Sequence, residues 1–243
     1  MKAIGAYFIF LGNMFVRREN FSSYFKLIVN ECQTIGVNSL FLVAITSTFM
    51  GAVTTVQTAY NLVSPLIKNY VVAQVAREMI ILELAPTITA IVIAGKVGSS
   101  IASGLGTMRI TEQIDALEVM GVNSISYLVL PKIIAAMLMY PLLVIIGGFL
   151  ALYGGYVAGT LTGILTESEY IYGIRSSFNP YTVQFALIKS VVFAFLIASI
   201  SAFQGYYTRG GALEVGISST SAVTKSCIAV LLADYILAEL LLN

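Results

Sequence analysis

The sequence contains no histidine and no tryptophan, and charged residues make up only 10% of its 243 residues. Without histidine, neither a Ser-His-Asp nor a Cys-His catalytic arrangement is possible, and an HExxH metal site is excluded as well. The two cysteines, Cys32 and Cys227, stand far apart in apolar surroundings and form no CxxC pair. The sequence therefore predicts neither a metal site nor a disulfide framework.

Strong charge of one sign is also missing, because the net charge is only +1. No basic run with interleaved aromatic residues is present, which excludes the usual pattern of a nucleic-acid-binding protein. Apolar residues make up 58% of the chain, whereas charged residues make up about 25% of an ordinary soluble domain. This composition predicts an all-α integral membrane protein.

Five apolar stretches are long enough to cross a bilayer, since about 20 helical residues span ~30 Å of hydrocarbon. They cover residues 36–61, 70–103, 127–163, 181–206 and 222–242. Ser64-Pro65 is expected to stop the first one. The second, at about 34 residues or ~50 Å, exceeds the bilayer thickness, so part of it must protrude or tilt. Residues 166–179 are predicted to be an external loop with one short helix, and residues 205–219 a loop.

Residues 1–30 mix aromatic side chains with lysine and arginine. This blend is too interrupted for a confident span and is typical of an interfacial or elbow helix, with a short first span as the alternative. The predicted division is therefore an N-terminal segment, 1–30, and a transmembrane domain, 31–243.

The 13 lysines and arginines are distributed unevenly between the two sides of the membrane in the predicted topology. With a cytoplasmic N-terminus, nine would lie inside and three outside, which favours this orientation. Lys189 lies within a span. The inner group is Lys2, Arg17, Arg18, Lys26, Lys96, Arg109, Lys132, Arg209 and Lys225, and the outer group is Lys68, Arg77 and Arg175.

Residues 111–121 predict a short amphipathic helix between the second and third spans. Thr111 is suited to the N-cap, and Gly121 to a left-handed C-terminal position. Glu112, Asp115 and Glu118 recur every three residues and are predicted to form one acidic side. Such a side suits docking onto a basic partner, and a solvated loop helix is the alternative. The predicted apolar side consists of Ile114, Leu117 and Val119 or Met120.

Among the charged residues within the predicted spans, Glu83, Lys189 and Asp234 are the candidates for a functional site. Charges in a membrane helix cost ~3 kcal/mol each on insertion scales, so they usually face a partner or a cavity. Lys189 paired with one or both acids could simply lock helices together. Alternatively, the three residues form a polar site that meets the headgroup of an amphiphile.

A row of small residues runs along the third span at a spacing of four. Such a row permits close approach between helices in lipid, either within one chain or between two copies. Its members are Gly147, Ala151, Gly155, Gly159 and Gly163.

The run Gly95-Lys96-Val97 invites comparison with a phosphate-binding loop. The GxxxxGK[ST] pattern requires glycine where Ala90 stands and a hydroxyl where Val97 stands. The sequence therefore encodes no nucleotide site of this type, and ATP hydrolysis would have to come from another chain.

Three stretches are highly distinctive: ELAP at 83–86, AGKVGS at 94–99 and GTMRITEQIDAL at 106–117. They strongly resemble the MlaE family of lipid ABC-transporter permeases. The similarity extends from about residue 36 to the C-terminus, and EQIDAL is its most specific block. Supporting matches are Gly51, Gln57, IKSV at 188–191 and Asp234.

The resemblance implies a five-span permease with an interfacial helix, working as a homodimer in the inner membrane of a bacterium. It implies a separate cytoplasmic ABC ATPase that binds ATP, an MCE-domain protein outside the inner membrane, and phospholipid as cargo. Residues 111–121 would be the coupling helix, which seats Glu112, Gln113, Asp115, Leu117 and Glu118 against the ATPase. Polar cavity positions would be Glu83, Lys189, Asp234 and Gln57.

Two other classes of function are compatible with the residues alone. One is an ion-coupled secondary transporter that uses Glu83, Lys189 and Asp234 as a relay. The other is a membrane scaffold without transport activity. An adjacent gene for an ATPase would favour the ABC transporter over both.

Overall fold

The computed structural model describes residues 2–14, 21–62 and 68–242, and within these ranges the regular structure is entirely helical. The predicted stop at Ser64-Pro65 lies outside the described residues. The helices are α1 Lys2–Asn13, α2 Phe21–Cys32, α3 Asn38–Asn61, α4 Tyr70–Met79, α5 Thr89–Ile93, α6 Ser99–Ile110, α7 Gln113–Val119, α8 Ser124–Leu161, α9 Glu167–Arg175, α10 Pro180–Tyr206 and α11 Ala212–Leu242.

Three π-helical segments, in which the helix is locally widened, connect some of these helices. Gln33–Val37 joins α2 to α3, Ile80–Ile88 joins α4 to α5, and Ala94–Gly98 joins α5 to α6. Widened turns of this kind are rare and often occur at functional sites.

Within the described residues, five helices are long and apolar enough to cross a membrane, which confirms the predicted number. They are Tyr24–Asn61, Tyr70–Ile110, Ser124–Leu161, Pro180–Tyr206 and Ala212–Leu241. The short helix predicted within residues 166–179 is present as α9, which begins with a capping box formed by Thr166 and Glu169.

The predicted loop at 205–219 is wrong over much of its length, because α11 already begins at Ala212. The Glu214 carboxylate accepts a hydrogen bond from the Gly211 backbone N–H at 2.9 Å, which satisfies a free donor at the start of this helix. Ser219, at the end of the predicted loop, lies within α11 and donates to the Ser99 carbonyl at 2.9 Å.

The chain divides into two compact units. The first unit comprises Met1–Ser39, Ala90–Tyr140 and Val191–Asn243, and the second comprises Leu40–Thr89 and Pro141–Ser190. Both units include parts of the candidate membrane-spanning helices.

In the second unit, α3 and α8 approach each other backbone to backbone. A Cβ atom added at Gly51 would lie 1.8 Å from the Ala151 carbonyl oxygen, and one added at Gly154 would lie 2.1 Å from the Thr48 carbonyl oxygen. A Cβ atom added at Gly155 would lie 2.3 Å from the Thr55 side-chain hydroxyl oxygen. The row that includes Gly147, Ala151, Gly155 and Gly159 thus faces side chains and backbone of its own chain.

In the first unit, α1 is anchored by an aromatic cluster. Phe10 is fully buried, and its ring lies 5.5 Å from the rings of Phe203 and Tyr206 and 5.9 Å from that of Tyr207. The opposite face of α1 exposes Phe8. The N-terminal helix therefore has one face docked against α10 and an apolar face that is open.

Candidate functional site

Glu83 and Lys189 form an ion pair in the second unit. The Lys189 Nζ atom lies 3.0 Å from both carboxylate oxygens of Glu83, and 4.8 Å from the centre of the Phe185 ring. From the sequence, Lys189 could pair with Glu83, with Asp234 or with both. The structure shows that Glu83 is one acid that pairs with it. The second and fourth spans are joined by this pair.

The Leu82 carbonyl is a third acceptor for the ammonium group, and Lys189 donates to it at 3.1 Å. Pro86, which has no backbone N–H to donate, lies in the same π-helical segment. The π-helical segment Ile80–Ile88 contains all three second-span residues of this site, so the widened turn presents a carboxylate and a backbone acceptor to one lysine.

The two charged groups of the pair differ in exposure. The Lys189 side chain is 0% exposed, whereas that of Glu83 is 46% exposed. A buried ammonium without a partner would be strongly destabilising, so Lys189 depends on Glu83 and Leu82. The Glu83 carboxylate, in contrast, is accessible from outside the chain, which makes it the group that a ligand can reach.

The other two predicted cavity residues occupy different surroundings. Gln57 is exposed and lines a groove of about 270 Å³ in the second unit, together with Met50, Thr54 and Met79. Asp234 belongs to the first unit, where it is half-buried on α11.

The second candidate element is α7, which connects the second and third spans. The prediction that Thr111 caps this helix is wrong, because Thr111 ends α6 and its hydroxyl donates back to the Thr107 carbonyl at 2.8 Å. Glu112 occupies the N-cap position of α7, with a left-handed φ of 60° and no side-chain capping bond. The left-handed residue turns the chain sharply from α6 into α7.

The C-terminal end of α7 follows the prediction. Gly121 has a φ of 80°, its N–H donates to the Glu118 carbonyl at 2.9 Å, and the Val122 N–H donates to the Leu117 carbonyl at 3.1 Å. These two bonds form a Schellman motif, in which glycine is favoured because it has no Cβ. The helix therefore has a fixed end.

The acidic side of α7 is not a row of three equivalent carboxylates. Asp115 pairs with Arg109 at 2.6 Å. Glu118 accepts from Tyr206 at 2.9 Å and from Ser124 at 2.8 Å, and the latter two hydroxyls are 2.7 Å apart. Glu118 therefore ties α7 to the ends of α8 and α10.

The predicted apolar side is only partly correct. Ile114 is fully buried and Leu117 is half-buried, whereas Val119 is 89% exposed and Met120 68% exposed. Glu112 and Gln113 are exposed at the other end of the helix. The outer surface of α7 thus combines acidic, amide and apolar groups.

The sequence assigned Arg77 only to the outer group of cationic residues, without a role. Its side chain is 1% exposed, and it donates to the carbonyls of Ile174 at 2.6 Å and Ser176 at 2.8 Å, at the end of α9. An arginine suits this place because the last carbonyls of a helix lack partners within the helix. The sequence feature that could have pointed to this role was a charged residue near the start of an apolar span.

The fold and the site together define a multi-pass helical membrane protein with an ion pair joining two of its spans. The model of the protein family described as "Permease MlaE" matches residues 28–240 of this chain. The chain therefore belongs to the MlaE permease family, and it is a membrane permease subunit.

Similar proteins come from bacteria and from a plant. A probable ABC transporter permease protein of Rickettsia bellii is 41% identical, over 89% of this chain and 83% of its own length. One from Synechocystis is 35% identical, over 88% of this chain and 81% of its own length. The chloroplastic protein TRIGALACTOSYLDIACYLGLYCEROL 1 of Arabidopsis thaliana is 34% identical, over 95% of this chain and 66% of its own length.

Proposed function

We propose that this chain is the membrane subunit of an ATP-driven transporter that moves phospholipid between the inner and outer membranes of a bacterium. The observation that carries the proposal is the Glu83–Lys189 pair, in which an accessible carboxylate lies beside a buried ammonium within apolar spans. Ionisable groups at such positions usually mark a substrate path. An amphiphile with a charged headgroup and apolar tails fits these surroundings.

Energy for transport would enter through α7 and its flanking residues 111–121. The exposed groups of this segment, Glu112, Gln113, Val119 and Met120, give a separate ATPase both charge and apolar area to bind. Asp115, Leu117 and Glu118 would hold the helix in its docking orientation. The naming of the relatives as ABC transporter permeases supports an ATPase partner, which would bind the ATP.

The expected assembly is a homodimer with two ATPase copies inside and an MCE-domain protein outside. The excess of lysine and arginine on one side supports a cytoplasmic N-terminus in the inner membrane. This chain would bind no cofactor of its own and no nucleic acid. An ion-coupled secondary transporter is not favoured, because the relatives carry the name of ABC permeases.

A double substitution distinguishes a role of the Glu83–Lys189 pair in transport from a purely structural role in holding the two spans together. Glu83→Gln alone leaves the buried Lys189 without its counter-charge and should cost about 3–5 kcal/mol of stability. Adding Lys189→Met removes both charges, and the stability should return close to that of the wild type. We expect the double variant to fold but to transfer lipid at least about tenfold more slowly, which corresponds to ~1.4 kcal/mol of lost binding or activation free energy.

The measurement is lipid transfer by the reconstituted transporter, with thermal unfolding as the control. Wild-type transfer by a stable double variant would leave only the helix-locking role and would refute a headgroup site at Glu83. Loss of transfer with normal unfolding would support it.

A charge reversal tests the coupling helix. Glu112→Lys keeps a non-glycine residue in the left-handed conformation, so the backbone strain is unchanged while the outer charge reverses. We expect the ATPase to co-purify with the wild type but not with this variant. Glu167→Lys, on the exposed start of α9, is the matched control and should retain the ATPase. Equal co-purification of all three proteins would contradict coupling through α7.

A further inference from the structure

The first unit contains a polar cavity that none of the preceding roles uses. It has a volume of about 180 Å³, and we refer to it as the lysine cavity. Water occupies about 30 Å³ per molecule in the liquid, so the space exceeds that of several waters. Its polar lining consists of Glu31, Thr34, Asn38, Lys96, Ser100 and Lys132.

The charges of the lysine cavity do not balance. Lys132 pairs with Glu31, and these side chains are 20% and 24% exposed. Lys96 donates instead to the backbone carbonyl of Asn38, which is neutral. Two ammonium groups therefore face one carboxylate, and the lining has a net charge of +1 from these three residues. Since each ammonium has three N–H donors, both lysines keep donors for an added anion.

Two walls of the lysine cavity are widened helical segments. Thr34 lies in the π-helical segment Gln33–Val37, and Lys96 lies in the π-helical segment Ala94–Gly98. Such insertions into a helix are rare and frequently occur at functional sites. Here, two of them border the same polar space.

The depth of the cavity along the third span matches the boundary of the hydrocarbon. The α8 helix has 38 residues, which corresponds to ~57 Å. This length exceeds the ~30 Å hydrocarbon core by ~27 Å. A centred helix would therefore extend ~13 Å beyond the core at each end. Lys132 lies eight residues after Ser124, the first residue of α8, which is ~12 Å along the axis. A phosphate of the lipid headgroup layer lies near this level.

Exposed apolar side chains also occur closer to the middle of the same three spans. Val37 follows Thr34, Ile91 precedes Lys96 on the antiparallel second span, and Leu138 follows Lys132. They are 59%, 38% and 57% exposed, respectively. A ligand with a phosphate at the lysines would therefore find apolar surface on the deeper side, as acyl chains require.

We propose that the lysine cavity binds the phosphate of a membrane phospholipid headgroup between Lys96 and Lys132. This site is distinct from the Glu83–Lys189 pair and does not depend on the transport proposal. The shared chemistry is a phosphate group, and the apolar surface beside the cavity favours a lipid over free phosphate.

The test measures lipid retained by the full-length protein in detergent, by native mass spectrometry during titration with phosphatidylglycerol. Lys96→Met and Lys132→Met each remove a charge-assisted donor and should weaken retention about tenfold. Ser100→Phe fills the cavity without changing its charge and should weaken retention to a similar degree. Lys225→Met is the matched control, because Lys225 is exposed on α11 and bonds to Gln204 outside the cavity.

A parallel arm adds inorganic phosphate at millimolar concentration. The lipid site is supported if lipid retention falls in the three cavity variants and stays unchanged in Lys225→Met. It is supported further if added phosphate does not reduce retention by the wild type. Displacement of the lipid by phosphate would overturn the lipid as occupant in favour of the free anion. Unchanged retention by a stable Ser100→Phe variant and by both lysine variants would overturn the site itself. Since no ATPase is present, these outcomes are independent of transport.

Discussion

At the scale of single residues, the most informative feature is the set of acceptors around Lys189. This buried lysine donates to the Leu82 carbonyl at 3.1 Å and bonds both oxygens of Glu83. Both acceptor residues lie in one π-helical segment, which also contains Pro86. The widened turn thus supplies the binding arrangement for a buried charge.

Glu169 gives a residue-scale prediction about pH. Its carboxylate accepts from the Thr166 N–H at 2.9 Å and from the Thr166 hydroxyl at 2.8 Å, and these bonds hold the pKa of Glu169 below its usual value. A pKa that is lower in the folded state stabilises the fold above the unfolded-state pKa, and this contribution is lost as the pH falls through the folded value.

Thr166→Ala should therefore raise the pKa of Glu169 and lower stability by about 1 kcal/mol at neutral pH, as the loss of an N-cap does. Thr166→Ser keeps the hydroxyl and should preserve both properties. NMR titration of labelled glutamate measures the pKa, and thermal unfolding measures the stability. An unchanged pKa in the alanine variant would mean that the Thr166 hydroxyl does not act on Glu169, since the bond from the backbone N–H of residue 166 remains.

At the scale of elements, α1 connects indirectly to α7. Phe10 of α1 contacts Tyr206 of α10, and Tyr206 donates to Glu118 of α7. In addition, Asn123, between α7 and α8, donates to the carbonyl of Asn13 at 3.0 Å. The N-terminal helix is therefore part of the support of α7.

Two phenylalanines of α1 make this support testable. Phe10→Ala removes a fully buried ring and should destabilise the protein by about 3–5 kcal/mol, whereas Phe8, at 66% exposed, should tolerate alanine with little loss. Thermal unfolding in detergent compares the two variants, which lie two residues apart on one helix. Equal stability losses would show that the aromatic cluster does not anchor α1.

At the scale of the whole molecule, the third candidate span has a topological consequence. With one crossing by Ser124–Leu161, the segment before this span and the segment after it face opposite sides of the membrane. The first segment contains α7 and the second contains α9. The proposed docking surface and the loop fixed by Arg77 are then on different sides.

Thiol labelling tests this topology. In a background in which Cys32 and Cys227 are replaced by alanine, Ala116→Cys on α7 and Ser168→Cys on α9 introduce single exposed thiols. A membrane-impermeant reagent added to intact cells should label the cysteine at position 168 and leave the one at 116 unmodified until the cells are permeabilised. Labelling of both positions in intact cells would contradict the five-span arrangement with α7 inside.

The sequence by itself determined the class of protein, the number of spans and the left-handed end of α7 at Gly121. These features follow from local composition, from apolar length and from the conformational freedom of glycine. It also identified the charged residues within the spans, because charge in an apolar run is visible without any structure.

Only the tertiary structure decided which groups meet. The Glu83–Lys189 pair, the Arg77 contacts with α9 and the lysine cavity each join residues that are distant in the chain. Periodicity carries no information about such contacts, since it orders side chains along one helix and not between helices. For the same reason the three acids of α7 looked equivalent in sequence, although Arg109 and Tyr206 give Asp115 and Glu118 different partners.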